Sequence, residues 1–312
     1  MMQRKTPNDQ GAALLSILMI VAVMSVAALA AVEALGRSLS LARVSSERSQ
    51  AVWAARSTEA LGAIAVERLY AMDDDTIRAA LETGQSMTLP FERGAIQATL
   101  TDDSNCFNLN TIAGKADDVN HIRFQQLLEA MDIFPTEARA LSESLADWID
   151  DNQVPRAYGA EDAYYSTLET PYRPGNAPLK GFTPEIIDAL RPLVCVRPSR
   201  FQSALNIETL TEDEAPLLIA LFSSELTGEE ALSAIRAKPL AGWQSVDSFL
   251  QNENIEIIAL AARNDSILAV APSNLRLTAR IVSGSTQETL QLVYAVGIGG
   301  KASLVQRTTG EL

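Results

Sequence analysis

One histidine, two cysteines and no proline between Pro7 and Pro90 set the first limits on this 312-residue chain. With His121 alone, no histidine-based catalytic triad is signalled, and the residue reads as a surface or half-buried position on a helix. Cys106 and Cys195 lack the CxxC spacing of a redox or zinc site. Each sits in a strand-like apolar setting, Asn105–Cys106–Phe107 and Val194–Cys195–Val196. The pair fits an oxidising compartment, where bonding would close a loop of roughly 90 residues and contribute at most ~4–5 kcal/mol. Two buried free thiols are the other reading. No GxSxG, P-loop or GxGxxG motif occurs, and Gly297, Gly299 and Gly300 follow a strand pattern without opening a helix. Basic residues are scarce, 25 against 39 acidic, for a net charge of −14. Such a surface repels phosphate backbones, which argues against nucleic acid as a partner. Converging carboxylates instead favour divalent cations.

Charge is also missing from Ala12 to Val32, an apolar run long enough, at ~1.5 Å per residue, to reach roughly 30 Å across a bilayer core. The polar prefix Met1–Gly11 carries Arg4 and Lys5, which favours a cytoplasmic N-terminus and export from about Glu33 onward. Arg37 and Arg43 follow soon after the run and weaken that asymmetry. A secretory signal is cut after its apolar segment. Here the prefix ends at Gly11, before it. An uncleaved signal anchor is the plain alternative. The missing prolines let one helix continue from about Ala12 to Met72, with Leu61, Ile64, Ala65, Leu69 and Met72 on one face. Gly36 and Gly62 should weaken it locally. Asp73–Asp75 should end it, and a short helix should follow to Gly84.

Alternation over Ile96, Ala98 and Leu100 predicts a strand, paired with one near Met87–Phe91 through a turn at Arg93–Gly94. Strand signals then stop. Segments near 118–132, 135–150, 184–193, 211–223, 228–237 and 245–262 read as helices. Strands resume at Leu275–Ile281, Leu290–Val296 and Ala302–Gln306. This order predicts an α+β fold: a long N-terminal helix on an antiparallel sheet, with an all-helical block inserted between its strands. Phe107–Ile112 and Leu205–Leu210 echo each other in their Leu, Asn and Thr order. Helix-hairpin-helix modules begin this way, but the glycine hairpin they need for phosphate is missing.

The densest chemistry lies at Asp147, Asp150, Asp151 and Asn152, then Glu161 and Asp162. Asp147 and Asp150 share a face at a helix end, and the loop 153–159 can bring the later pair back to them. Oxygen ligands without His or Cys suit a hard cation, and flexible carboxylates favour Ca²⁺ over Mg²⁺. A solvated acidic helix end is the bland alternative, and a carboxylate-pair hydrolase a third. Tyr164, Tyr165 and Tyr172 read as packing over the loop, and 171–181 as a long irregular stretch that needs pinning.

Together, the Gly11 leader, Ser16 where most pilins carry a fifth-position glutamate, Cys106–Phe107–Asn108–Leu109–Asn110, Asp147–Trp148–Ile149–Asp150, Gly159–Ala160–Glu161–Asp162 with Tyr164–Tyr165, and Leu205–Asn206 resemble the minor pseudopilin K family of bacterial type II secretion. The resemblance covers nearly the whole chain. It implies a non-enzymatic subunit at the tip of a periplasmic pseudopilus, cut between Gly11 and Ala12 by a prepilin peptidase and N-methylated at Ala12. The implied partners are the minor pseudopilins I and J, the major pseudopilin and the inner membrane. The implied location is single-pass in the inner membrane, N-terminus cytoplasmic and C-terminal domain periplasmic. The implied parts are a leader (1–11), a transmembrane half-helix (12–36), a pilin-like core (37–109), a helical insert carrying the acidic cluster (110–268) and C-terminal core strands (269–312). The resemblance further implies a Cys106–Cys195 disulfide and structural calcium at Asp147, Asp150, Glu161 and Asp162. Asn152 stands where relatives would carry an aspartate, with Asp151 beside it to compensate. A tip subunit has no subunit above to pair a buried glutamate, so Ser16 removes a costly charge from lipid. A membrane-anchored periplasmic hydrolase using Asp147, Asp150 or Glu161 is the alternative.

Overall fold

The computed structural model describes residues 7–72, 76–77, 80–81, 84, 86–114, 118–168, 179–222, 226–251 and 267–310, with side chains from residue 13 onward. Helix α1 spans Pro7–Leu69 and closes in a turn, where the Tyr70 and Met72 N–H groups return to the carbonyls of Val66 and Leu69. Asp73–Asp75 and much of the short helix expected before Gly84 lie outside the described residues. From Ala13 to Ser46 every side chain of α1 is exposed. Glu47 is the first buried one, followed by Ala51, Ala54, Ala55, Thr58, Gly62, Val66 and Leu69.

That stripe is distinct from the apolar face read from the sequence. Leu61, Ile64 and Met72 point to solvent, and of the five residues named only Leu69 is buried. The reason is distance: small side chains let the helix axis lie close to the sheet, and the large apolar residues are left for the outer face. A Cβ on Gly62 would come 2.5 Å from Tyr294 Oη and 2.8 Å from Leu277 Cδ2. Gly62 is therefore a contact point rather than a weak spot, and Tyr294 uses the space to donate its hydroxyl to the Glu59 carbonyl at 2.7 Å.

The sheet beneath runs β1 (Ser86–Phe91), β2 (Gly94–Asp102), β7 (Asn274–Ser283), β8 (Thr286–Val296) and β9 (Ala302–Thr309), antiparallel throughout. Glu92 and Arg93 make the first turn. Strands from both ends of the chain thus form one sheet, with β2 and β7 paired in register from Gly94↔Ser283 to Asp102↔Leu275. Period-two alternation sends Leu275, Leu277, Ala279 and Ile281 inward with Leu290, Leu292 and Tyr294, against α1. At the other end of this contact, the β7–β8 turn docks on Glu47. Ser285 donates its N–H at 3.1 Å and its hydroxyl at 2.8 Å, and Arg43 Nε donates at 2.9 Å. The Ser285 bonds and the Arg43 charge draw the Glu47 carboxyl down to about 2. Gly284 makes the turn possible with φ 58°.

Between β2 and β7 lie α2 (Val119–Ala130), α3 (Pro135–Ile149), α4 (Asp162–Ser166), α5 (Pro184–Leu190), α6 (Ala215–Phe222), α7 (Gly228–Arg236) and α8 (Val246–Leu250). Their termini follow the sequence: Asp118 and Thr183 cap α2 and α5, and Thr227 with Glu230 forms a capping box for α7. The expected helix over 245–262 is seen as α8, and 252–266 lie outside the described residues. This block has its own core around Phe107, Phe124, Leu127, Leu141, Leu218 and Phe249, distinct from the cluster between α1 and the sheet. It is not free of strands. Phe107–Asn108 (β3) pairs in parallel with Val194–Cys195 (β4), and Leu205–Asn206 (β5) with Leu268–Ala269 (β6). Two-residue ladders are too short to alternate, and only the strand-like settings around Cys106 and Cys195 announced the first of them. Cys106 and Cys195 form a disulfide across the first ladder.

The two α1 glycines should respond oppositely to the same change. Gly62→Ala should lower the urea midpoint of the full chain in detergent, because overpacking of ~1–3 kcal/mol exceeds the helix-propensity gain. Gly36 has open space around it, so Gly36→Ala should raise stability by up to ~1 kcal/mol.

Candidate functional site

The carboxylates expected to converge lie at the end of α3. Pro135 starts this helix at its first turn, and Ala138, Leu141 and Leu145 hold its inner face in the core. Two residues past Leu145, Asp147 is buried, and Asp150 forms the C-cap. The chain then loops through 151–161 and starts α4, with buried Glu161 as its N-cap. One oxygen each from Asp147, Asp150 and Glu161 lies within 4.8 Å of the others. Asp151, Asn152 and Asp162 stand outside that group. Asp151 is exposed and 3.7 Å from Arg200, Asn152 accepts the Val154 N–H at 2.8 Å to shape the loop, and Asp162 is exposed in the first turn of α4.

Arg156 occupies the middle of the cluster. Its Nη1 bonds Asp147 Oδ1 and lies 2.7 Å from Asp150 Oδ2, its backbone N–H reaches Asp147 Oδ2 at 3.0 Å, and Nη2 donates to the Gly114 carbonyl at 2.8 Å. Asp147 is thereby fully satisfied. Glu161 is not: its Oε1 is buried without a partner among the described residues. Burial, and then the charges of Asp147, Asp150 and Asp162, push the Glu161 carboxyl above its ordinary range, with Arg156 only partly offsetting them. Gly159 is required by this packing, since a Cβ there would sit 1.8 Å from Asp147 Oδ2.

The loop is pinned on its outer side. Glu143, whose own burial is outweighed by Arg139 and the Tyr158 N–H, keeps a lowered carboxyl. Lys180 Nζ donates to the carbonyls of Tyr158 and Gly159 at 3.0 and 2.8 Å and lies 4.9 Å over the Tyr164 ring. Tyr165 meets Trp148 and Tyr164 edge-on at 5.3 Å. Tyr172 lies outside the described residues. His121 corrects the sequence reading, for it is buried in α2 with Nε2 3.3 Å from Ser142 Oγ. Burial foremost, and then Arg156, lower its pKa. Sequence reasoning missed Arg156, Glu143 and Lys180. Only Arg156 left a signal, as the single cation between Asp147 and Asp162.

What this arrangement can do chemically is hold a positive charge among three hard oxygen ligands. It is poorly built for hydrolysis. Two of the carboxylates are buried and a guanidinium bridges Asp147 and Asp150, whereas a glycosidase pair flanks an open cleft.

Residues 105–199 and 205–270 match the family described as type II secretion system (T2SS), protein K. The chain is similar to the type II secretion system protein K of Klebsiella pneumoniae, 33% identical over 297 residues and 90% of each chain. It is also similar to that of Aeromonas hydrophila, 27% identical over 96% of this chain and 97% of the relative. Its fold matches a chain in the crystal structure of the GspK–GspI–GspJ complex from enterotoxigenic Escherichia coli. The TM-score is 0.68 at 26% identity, covering 86% of this chain and 99% of that one.

In chelator, Glu161→Gln should stabilise the full chain at neutral pH. A raised carboxyl contributes stability at low pH and loses it as pH rises through its folded pKa, so the wild type should weaken on that rise and the variant should not. Gly159→Ala should cost ~1–3 kcal/mol or more by displacing Asp147. Thermal melts from pH 4 to 8 read both.

Proposed function

The chain belongs to the type II secretion system protein K family, the minor pseudopilins of that machine, and from this premise we propose how it is built into the pseudopilus. Its role is structural and non-enzymatic. The observation that carries the reading is the division of α1: exposed and apolar from Ala13 through Val32, then buried along a small-residue stripe from Glu47 onward. The long apolar helix fits a single-pass membrane anchor. With Arg4 and Lys5 ahead of it, the N-terminus lies in the cytoplasm and the sheet and insert in the periplasm. A prepilin peptidase cuts between Gly11 and Ala12 and methylates Ala12. The outward residues Trp53, Leu61 and Ile64 leave α1 an apolar outer face for neighbouring helices. Pseudopilins I and J are the partners supported by the solved complex of relatives. The major pseudopilin supplies the shaft below, and the insert crowns the tip.

Calcium belongs to the same reading. Asp147, Asp150 and Glu161 would hold it, and the unpartnered Glu161 oxygen supports the fit, with Gly159 leaving room for the Asp147 carboxylate. The ion would supply charge neutralisation for three carboxylates, of which Arg156 serves two.

Expression of the full chain with and without a prepilin peptidase should give intact masses starting at methylated Ala12 and at Met1, respectively. A Met1 start in both would sink the assembly reading. Calcium at 100 times its Kd should add ~2.7 kcal/mol of stability to the detergent-solubilised chain, reversed by chelator and abolished in Asp147→Asn.

A further inference from the structure

We infer that the Cys106–Cys195 disulfide opens and closes through Cys195, with Arg197 holding Cys106 as the departing thiolate. The two sulfurs sit in unequal surroundings. Cys106 is 7% exposed, at the buried seam between sheet and insert. Cys195 is half-buried at the insert's surface, beside Val196, which is 58% exposed. An incoming thiolate therefore meets Cys195 first.

The charges favour the same direction. Arg197 is buried, and its Nη2 lies 3.4 Å from Cys106 Sγ and 2.9 Å from Asp103 Oδ2. Asp103 is shared, because its Oδ1 is taken by Arg276 through both Nε and Nη2. Two guanidinium groups share the Asp103 carboxylate, so Asp103 only partly neutralises the Arg197 charge beside Cys106. The Nε and Nη1 of Arg197 have no partner among the described residues. A buried cation beside a sulfur lowers its thiol pKa, and the sulfur of lower pKa leaves faster in exchange.

In the opening step a thiolate, from a small thiol or a dithiol oxidoreductase, attacks Cys195 Sγ. A bond forms between the attacker's sulfur and Cys195, the Cys106–Cys195 bond breaks, and its electron pair goes to Cys106 as thiolate. The attacker's sulfur is oxidised and Cys106 is reduced. Closure is the reverse: the Cys106 thiolate attacks the mixed disulfide at Cys195 and expels the other thiolate. Arg197 is a positioning and charge-stabilising residue in both directions.

The test needs no folding-sensitive variant in its first arm. The full chain in detergent is treated briefly with 2-mercaptoethanesulfonate, blocked with N-ethylmaleimide and mapped by peptide mass. The mixed disulfide should sit on Cys195 and the maleimide on Cys106. Mixed disulfide mainly on Cys106, or equally on both, overturns the inference. In the second arm, Arg197→Met should slow opening at least five-fold and Arg197→Lys should restore most of the rate. A rate unchanged or raised in Arg197→Met removes Arg197 from the mechanism.

Discussion

Where the chain leaves the sheet after Asp102 and returns at Asn274, a buried polar seam must be satisfied if the insert is to keep its place. Ser104 Oγ accepts the N–H groups of Ser273 and Asn274 at 2.8 and 3.1 Å. Asp102 Oδ2 accepts from Asn206 Nδ2 at 2.7 Å and Thr209 Oγ1 at 2.5 Å. Asn105 exchanges two bonds with the Asn206 backbone at 2.8 and 3.2 Å. Asp103 ties Arg276 of β7 to Arg197 of the insert. Such networks specify one arrangement because a partly made one leaves costly orphan groups. Loop-closure entropy rises slowly with length, so a long insertion is tolerated once its two ends are fixed. The disulfide anchors at Cys106, a few residues beyond the exit, and closes the same seam from the insert's side.

Helix α1 answers two demands with one sequence. Its first part is apolar all round from Ala13 to Val32, which fits a membrane anchor. Its second half must lie close to a sheet, and closeness selects Ala51, Ala54, Ala55 and Gly62 over larger apolar residues. The change of regime falls at Glu47, whose carboxylate clamps the β7–β8 turn at the point where the rod leaves the domain. The large residues excluded from the sheet contact, Trp53, Leu61 and Ile64, become an exposed outer surface, so one packing rule fixes both faces.

The fold was legible wherever one period ran long enough. The α1 span, the strands at 275–281 and 290–296 and the capped helices all carry local patterns, and the break between strand groups implied the insertion. The large-residue face of α1 at Leu61 and Ile64 was legible, whereas the stripe of Ala51, Ala54, Ala55 and Gly62 that meets the sheet is too small in side chain to stand out. The repeated Leu–Asn–Thr segments were seen but not understood. Each is a short ladder followed by an Asn-capped turn: Asn108 Oδ1 accepts from Asn110 N–H at 3.3 Å, and Asn206 Oδ1 from Glu208 N–H at 3.1 Å. At the acidic cluster, the helical pair Asp147 and Asp150 and the return of Glu161 were readable, since spacing and a loop suffice. Arg156, the burial of His121 and the Lys180 clamp depend on chain crossings that no local spacing encodes.

The same cluster shows why one arginine does not finish the work that its carboxylates pose. A guanidinium is planar, and here its Nη1 lies between Asp147 and Asp150 while Nη2 is committed to the Gly114 carbonyl. Glu161 Oε1 stays buried without a partner among the described residues, and burial, with the charges of Asp147, Asp150 and Asp162, drives its carboxyl upward. Against three carboxylates, a single positive charge leaves the site acidic when all are ionised. A divalent ion carries twice the charge and accepts oxygen ligands from any direction, so it can reach all three at once. That asymmetry, two acids served and one left over, is the physical ground for the proposed calcium. Arg156 meanwhile ties the end of α3 to the Gly114 carbonyl.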